Sequence, residues 1–174
     1  MKEKQLYLIG GTMGAGKTTV GRVLKKQLPD CVLLDGDWCW DMDPFQVTEE
    51  TKKMVMKNII FLLNSFLTCS AYKNVVFCWV MHEQTIIDEI LGSLDLNGCQ
   101  VLLFSLICSP KELAGRLEKD IEQGLRDEDV VNRSLARLPF YEKLNTIKID
   151  TTGCSPKMVA ERISKASGRK RWDP

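Results

Sequence analysis

The chain has 174 residues, a net charge of +1, seven cysteines and one histidine. At this length about 70% of the unfolded surface can be buried, so a single domain needs no covalent or metal staple. Near-zero charge gives no global pull toward nucleic acid or an anionic membrane, and cysteines without a C-x-x-C pair beside the lone His82 argue against a zinc site.

MKEKQ leads directly into an apolar run too short for a secretory signal, and no stretch approaches the roughly 20 apolar residues of a membrane helix. With the odd cysteine count, this predicts a cytoplasmic protein in a reducing compartment. Cys78 and Cys108 lie in apolar runs and read as small buried hydrophobes. Residues 5–10 read as the first strand. Residues 17–28 predict a helix with Val20, Val23, Leu24 and Leu28 on one face. Residues 32–35 form a second strand. Residues 48–67 form a long helix whose stripe is Val55, Ile59, Leu62, Leu63 and Phe66. Residues 75–80 and 101–108 are continuous apolar runs, the pattern of strands buried on both faces, with a helix over 83–94 between them. Ser109-Pro110 and Ser155-Pro156 each pair an N-cap with a first-turn proline and so open helices. Residues 146–150 form the last strand. Five strands, each followed by helix, make an α/β chain with a parallel sheet. The basic end, GRKRWDP, reads as solvated chain rather than a nucleic-acid patch.

Gly11-Thr-Met-Gly-Ala-Gly-Lys-Thr18 matches G-x-x-x-x-G-K-[ST], between a strand and a helix. Gly14 and Gly16 allow backbone angles closed to other residues and a close approach to a ligand. The N–H groups of the loop (Gly11, Met13, Gly14, Ala15, Gly16, then Lys17, Thr18 and Thr19) form a nest for phosphate oxygens at a helix N-terminus. Lys17 supplies charge to the β- and γ-phosphates of ATP, and the Thr18 hydroxyl suits Mg²⁺. No N-K-x-D follows a strand, as guanine recognition would need. The D-x-x-G at 95–98 precedes a strand and reads as a turn. The run 75–80 ends in Trp79, Val80, Met81 and His82 rather than in the acid of a hydrolytic motor. These absences favour a small kinase.

In GTMGAGKTT, in LLDGD after the second strand, in SPKELAGRL after the fourth and in IDTTGCSP at the fifth, the sequence resembles the small P-loop kinases. That group includes nucleoside-monophosphate, gluconate, shikimate and adenylylsulfate kinases and chloramphenicol phosphotransferase. The resemblance runs over nearly the whole chain. It implies a three-layer P-loop NTPase fold of one domain, with a five-stranded parallel sheet in the order second, third, first, fourth, fifth. It also implies a helical lid after the fourth strand and transfer of the γ-phosphoryl of ATP. Arg116 matches the family arginine that stacks on adenine, and Thr151, Thr152 and Gly153 match the turn that holds the base.

The segment 111–145 is too long for an ordinary connection and reads as the lid. It carries Arg116, Lys119, Arg126, Arg133 and Arg137. A helix over 127–138 would put Arg133 and Arg137 on one face, with Arg126 at its start. Arg126 and Arg133 are the candidates for meeting the charge of the transferring phosphoryl group. The alternative is an exposed helix paired with Asp127, Glu128 and Asp129.

LLDGDWCWDMDPF, 33–45, joins four aspartates to two tryptophans. In an open α/β sheet this stretch lies beyond a strand's carboxyl end, beside the phosphate loop. Gly36 would turn the chain and aim Asp37 at the γ-phosphate, where a carboxylate orients an acceptor hydroxyl and takes its proton. Asp35 either orders Mg²⁺ or caps the turn. Trp38 and Trp40 form an apolar wall for the acceptor, or else one of them joins the core. Asp41 and Asp43 read as loop solvation. His82 and Trp79 are core residues or ligand contacts, and Asn58 is a surface amide or a substrate contact. Lys52, Lys53 and Lys57 face water, so the acceptor pocket has no evident clamp for a second phosphate. The expected activity is ATP-dependent phosphoryl transfer to a hydroxyl of a small molecule, by a monomer or homodimer. The alternatives are a nucleoside or nucleotide kinase and a slow nucleotide-binding regulator.

Overall fold

The computed structural model describes residues 4–166. The first three residues and the tail holding GRKRWDP, read above as solvated chain, lie outside the described residues. The sheet is built on β1 (Lys4–Gly11), flanked by β3 (Asn74–Trp79) and β4 (Cys99–Ile107), with β2 (Cys31–Asp35) and β5 (Ile147–Asp150) outermost. All four pairings are parallel, in the order β2-β3-β1-β4-β5.

The central strands are apolar on both faces because both are covered. Leu6 and Leu8 of β1, Val75 and Phe77 of β3 and Val101 and Leu103 of β4 share one core with Val55, Ile59 and Leu63 of α2 (Glu49–Thr68). Ile87 and Ile90 of α3 (Gln84–Gly92) complete that layer. The alternate residues Tyr7, Ile9, Val76, Cys78, Leu102 and Phe104 meet the other layer. There they pack on Val20 and Leu24 of α1 (Lys17–Gln27) and on Val159 and Ile163 of α6 (Pro156–Ala166). This period of two is the strand pleat read out as two cores.

Helix starts follow the capping chemistry. The Thr48 hydroxyl accepts the Thr51 N–H at 3.1 Å, and the Thr51 hydroxyl accepts the Thr48 N–H at 2.8 Å. Ser109 accepts the Glu112 N–H at 3.2 Å ahead of α4 (Pro110–Glu122). At 95–98 the Asp95 carboxylate accepts the Asn97 N–H at 3.2 Å and Gly98 takes φ 68°, so this D-x-x-G is a turn.

One helix differs from expectation. The helix placed at 127–138 is α5, Val130–Lys143, and runs through Pro139. Proline removes an N–H and leaves the Leu135 carbonyl without its intrahelical partner. Burial of Leu138 just before the proline and of Tyr141 just after it keeps the helix going. Helices α4 and α5 share a third apolar cluster, Cys108, Leu113, Leu117, Val130 and Leu138, with Met13 of the phosphate loop against it. Only 123–129 between them is outside a helix. No helix among the described residues is long and apolar enough to cross a membrane.

Candidate active site

The phosphate loop follows β1 and opens α1. Gly14 and Gly16 take φ 78° and φ 92°, the left-handed region that disfavours side chains. Space excludes a side chain at Gly14 as well, since a Cβ there would lie 2.8 Å from Leu117 Cδ2. Residues Met13 to Thr19 line a cleft of about 540 Å³. Gly11 does not line it: it lies beneath, against Ala15 and the Leu106 carbonyl.

Lys17 donates from Nζ to the Thr12 carbonyl at 2.9 Å. Burial draws its pKa down from 10.5 to about 8. The Asp37 carboxylate is the largest influence opposing that fall, ahead of Cys78 and Asp35, while Arg126 lowers it further. Lys17, Asp37, Asp35 and Arg126 therefore share one electrostatic neighbourhood.

Asp35 ends β2 and is 5% exposed. One carboxylate oxygen accepts the Asp37 N–H at 3.1 Å and caps the short 3₁₀ turn Gly36–Cys39. The other accepts the Thr18 hydroxyl at 2.5 Å. The capping alternative read for Asp35 is the one observed, and its second oxygen is engaged by Thr18. Asp37 is exposed and lines the cleft.

Gly36 has a different reason from the one expected. It needs no unusual backbone angle. A Cβ there would lie 2.4 Å from Cδ1 and Cγ of Trp79, so the indole occupies the side-chain position. Gly36→Ala should cost roughly 1–3 kcal/mol by overpacking against a rigid ring, read as a lower urea midpoint. An unchanged midpoint would show that the ring moves aside freely.

The two tryptophans separate. Trp40 packs edge-on against Phe45 (centroids 5.1 Å apart) and Trp79 (6.2 Å). Trp38 is 53% exposed. Neither lines the cleft that holds Lys17 and Asp37, and the stretch adopts a capped turn with one indole packed inward. Asn58 donates to the Cys39 carbonyl at 3.0 Å and ties that turn to α2.

On the other side of the loop, Arg116 is held by Glu112 at 3.0 Å, by the Thr151 hydroxyl at 3.1 Å and by the Thr151 carbonyl at 2.9 Å. Arg116, Thr151, Cys154 and Val159 line the cleft. Thr152 does not: its hydroxyl accepts the Ser109 N–H at 2.9 Å, in a separate hollow with Leu138 and Asp150. Arg126 lines the cleft and pairs with Asp120 at 3.0 Å. Arg133 pairs with Asp129 at 3.0 Å, half-exposed and away from the cleft, as the exposed-helix alternative describes. Glu112, Asp120 and Gln123, not read from sequence as candidates, also line the cleft; Glu112, Arg116, Lys119 and Asp120 make the polar stripe of α4 that a helical wheel shows, and Gln123 caps its end.

Three comparisons bear on this geometry. A family model described as an AAA domain matches residues 8–134. A shikimate kinase from Bacillus cytotoxicus is 32% identical over 168 residues, spanning 89% of this chain and 93% of the relative. Among solved structures, the tunicamycin resistance protein of Deinococcus radiodurans superposes with a TM-score of 0.70 at 20% identity, covering 98% of this chain and 99% of the other. A gluconokinase from Sinorhizobium meliloti gives 0.68 at 16% identity, covering 97% and 94%. Phosphate loop, strand order and relatives agree: the chain belongs to the small P-loop kinase family and is an ATP-dependent phosphotransferase acting on a small molecule.

Proposed function

We propose that the chain transfers the γ-phosphoryl group of ATP to a hydroxyl of a small hydroxylated carboxylic acid, with Asp37 as the proton acceptor. The observation that carries this reading is the shared cleft, where the Asp37 carboxylate is the strongest support of the Lys17 charge. Lys17 and the loop N–H groups hold the β- and γ-phosphates. Arg116 and Thr151 face the base. Thr18 and Asp35 would hold Mg²⁺, which would supply positive charge against the phosphate oxygens. Asp37 orients the acceptor hydroxyl and removes its proton as the new O–P bond forms and ADP leaves.

Two observations support an acid as acceptor. The names of two similar proteins, a shikimate kinase and a gluconokinase, denote hydroxylated acids. Arg137 is half-buried and has no ion pair or hydrogen bond among the described residues, which suits a carboxylate. Lys52, Lys53 and Lys57 are exposed on α2, so that helix offers no clamp for the second phosphate of a nucleotide acceptor. Seven free cysteines fit a reducing cytoplasm. The test is ADP release by purified protein with ATP, Mg²⁺ and a panel of shikimate, gluconate, neutral sugars, nucleosides and nucleotides. Turnover should require a hydroxy acid. Turnover with nucleotides alone, or tight ATP binding without turnover, overturns the reading.

The lid belongs to the same proposal. Within 111–145, the closing part is 123–129, which carries Arg126 between the two packed helices. Amide exchange there should slow when ATP and the acceptor bind together. Arg126→Ala should lower kcat roughly tenfold to a hundredfold, the value of a charge-assisted hydrogen bond, with ATP affinity little changed. Arg133→Ala should do the same only if closure frees Arg133 from Asp129. Exchange that ignores both ligands would remove the lid from the mechanism.

A further inference from the structure

Arg116 enters the cleft with every guanidinium nitrogen already engaged. Nε donates to Oε1 of Glu112 at 3.1 Å, and Nη2 lies 3.0 Å from the same oxygen. Nη1 donates to the Thr151 hydroxyl at 3.1 Å, and Nη2 donates to the Thr151 carbonyl at 2.9 Å. A guanidinium is planar and carries two in-plane forks, one at Nε and Nη2, the other at Nη1 and Nη2. Glu112 fills the first fork and Thr151 the second.

The two partners come from different elements. Glu112 sits in the first turn of α4, four residues before Arg116, where side chains share a helix face. Thr151 follows β5 and is buried. Its N–H donates to the Ile107 carbonyl at the end of β4 at 2.8 Å, so the sheet fixes this backbone. A helix on one side and a sheet edge on the other hold the guanidinium plane, where a lone ion pair would let it turn.

Both charged side chains are partly buried, 27% exposed for Arg116 and 37% for Glu112, and both line the cleft. With its forks filled, Arg116 chiefly has its flat face left to offer. Cys154, Pro156 and Val159 line the same cleft and are largely apolar. The face of a delocalised cation beside apolar groups suits an aromatic ring rather than a phosphate oxygen. Sheet order agrees: Arg116 and Thr151 follow β4 and β5, while Asp37 follows β2 on the other half of the sheet edge. An untied arginine would lose rotamer freedom as the base arrives. Tying it in advance moves that cost from binding to folding.

Resting on the function proposed above, in which Arg116 and Thr151 face the base, we infer that Glu112 is a positioning residue for the donor nucleotide. With Thr151 it clamps the Arg116 guanidinium so that the cation presents a fixed flat face, not a hydrogen-bonding edge, to the purine ring of ATP.

Calorimetric binding of Mg²⁺-ATP and of Mg²⁺-tripolyphosphate to the purified chain separates the base end from the phosphate end. Glu112→Ala should weaken ATP about tenfold, the scale of a lost charge-assisted hydrogen bond, and leave tripolyphosphate within about twofold. Glu112→Gln keeps an acceptor oxygen at the same reach and should recover most of the loss. Both variants keep the start of α4, where the Ser109 hydroxyl accepts the backbone N–H of residue 112. ATP and tripolyphosphate changing together, in either direction, overturns the assignment, because a general field effect or a disturbed loop does that. A Gln variant no better than Ala overturns it, as does unchanged ATP binding in Glu112→Ala. Binding is read without turnover. A selective loss of ATP affinity, restored by Gln, therefore supports the clamp even where no compound of the panel is phosphorylated, a result that sinks the transfer reaction alone.

Discussion

Replacing Lys17 with alanine is expected to lower phosphoryl transfer by about 10³-fold, in the range lost when a charge partner of the transition state is removed. The sheet should survive, because Lys17 contributes to the cleft and not to either core. Its ammonium meets the Thr12 carbonyl and the charges of Asp37 and Asp35, a site arranged for an arriving anion. Near-normal turnover in the variant would remove the phosphate loop from the mechanism.

The same residue sets two pH dependences of known sign. On the proposed function Lys17 meets phosphate in its charged form, so kcat/KM for ATP should fall as pH rises through about 8, the value to which burial draws Lys17. Stability runs the other way. The folded pKa lies below the unfolded 10.5, so the cost of burying the charge is fully present below about pH 8 and disappears as pH approaches the unfolded value. Such a shift corresponds to at most about 3 kcal/mol, reduced by the side chain's partial access to solvent. Lys17→Ala should therefore match or exceed the parent in urea midpoint at neutral pH, and lose that advantage at alkaline pH. An advantage that grows with pH would contradict the assigned shift.

What the sequence made legible follows from how local each signal is. The phosphate loop, the Ser109-Pro110 start and the doubly buried strands are each dictated within a few residues, and each falls where it was read. The long helix at 48–67 was read one residue early because Thr48 caps it rather than joining it. Pro139 reads as a stop, and only the burial of Tyr141 against β1, a contact far along the chain, carries α5 past it. Gly36 looked like a hinge because glycine usually serves φ; its true neighbour, Trp79, is more than forty residues away and invisible to local reasoning. The separation of Trp38 from Trp40 has the same origin, since Phe45 and Trp79 claim one indole. Arginine counting found the right segment but could not choose within it. Arg126 reaches the cleft through a pairing with Asp120, six residues back, and Arg133 is taken up by Asp129 on its own helix. Within the turn read at 151–153, Thr151 lines the cleft beside Arg116 while the Thr152 hydroxyl accepts the Ser109 N–H at the β4–α4 junction, a split that a three-residue turn does not reveal in sequence.

Asp37→Asn is expected to lower transfer to the acceptor by about 10²-fold or more, the range of general-base loss. The substitution keeps size and removes charge. The turn should hold, because its cap is the Asp35 carboxylate accepting the backbone N–H of residue 37, which asparagine retains. ATP affinity should change little at neutral pH, since the loop, Lys17 and Thr18 remain. One electrostatic consequence separates this role from a structural one. The Asp37 carboxylate is the largest support of the Lys17 charge, so its loss lowers the Lys17 pKa below about 8. The alkaline limb of kcat/KM for ATP should then shift to lower pH in the variant. A purely structural Asp37 would lower kcat without moving that limb. Full activity with the limb in place would take Asp37 out of the mechanism. A shifted limb with full transfer would keep Asp37 as an electrostatic neighbour of Lys17 and leave the proton to another acceptor. Loss of transfer together with the shift is the outcome that one carboxylate facing both the lysine and the incoming hydroxyl requires.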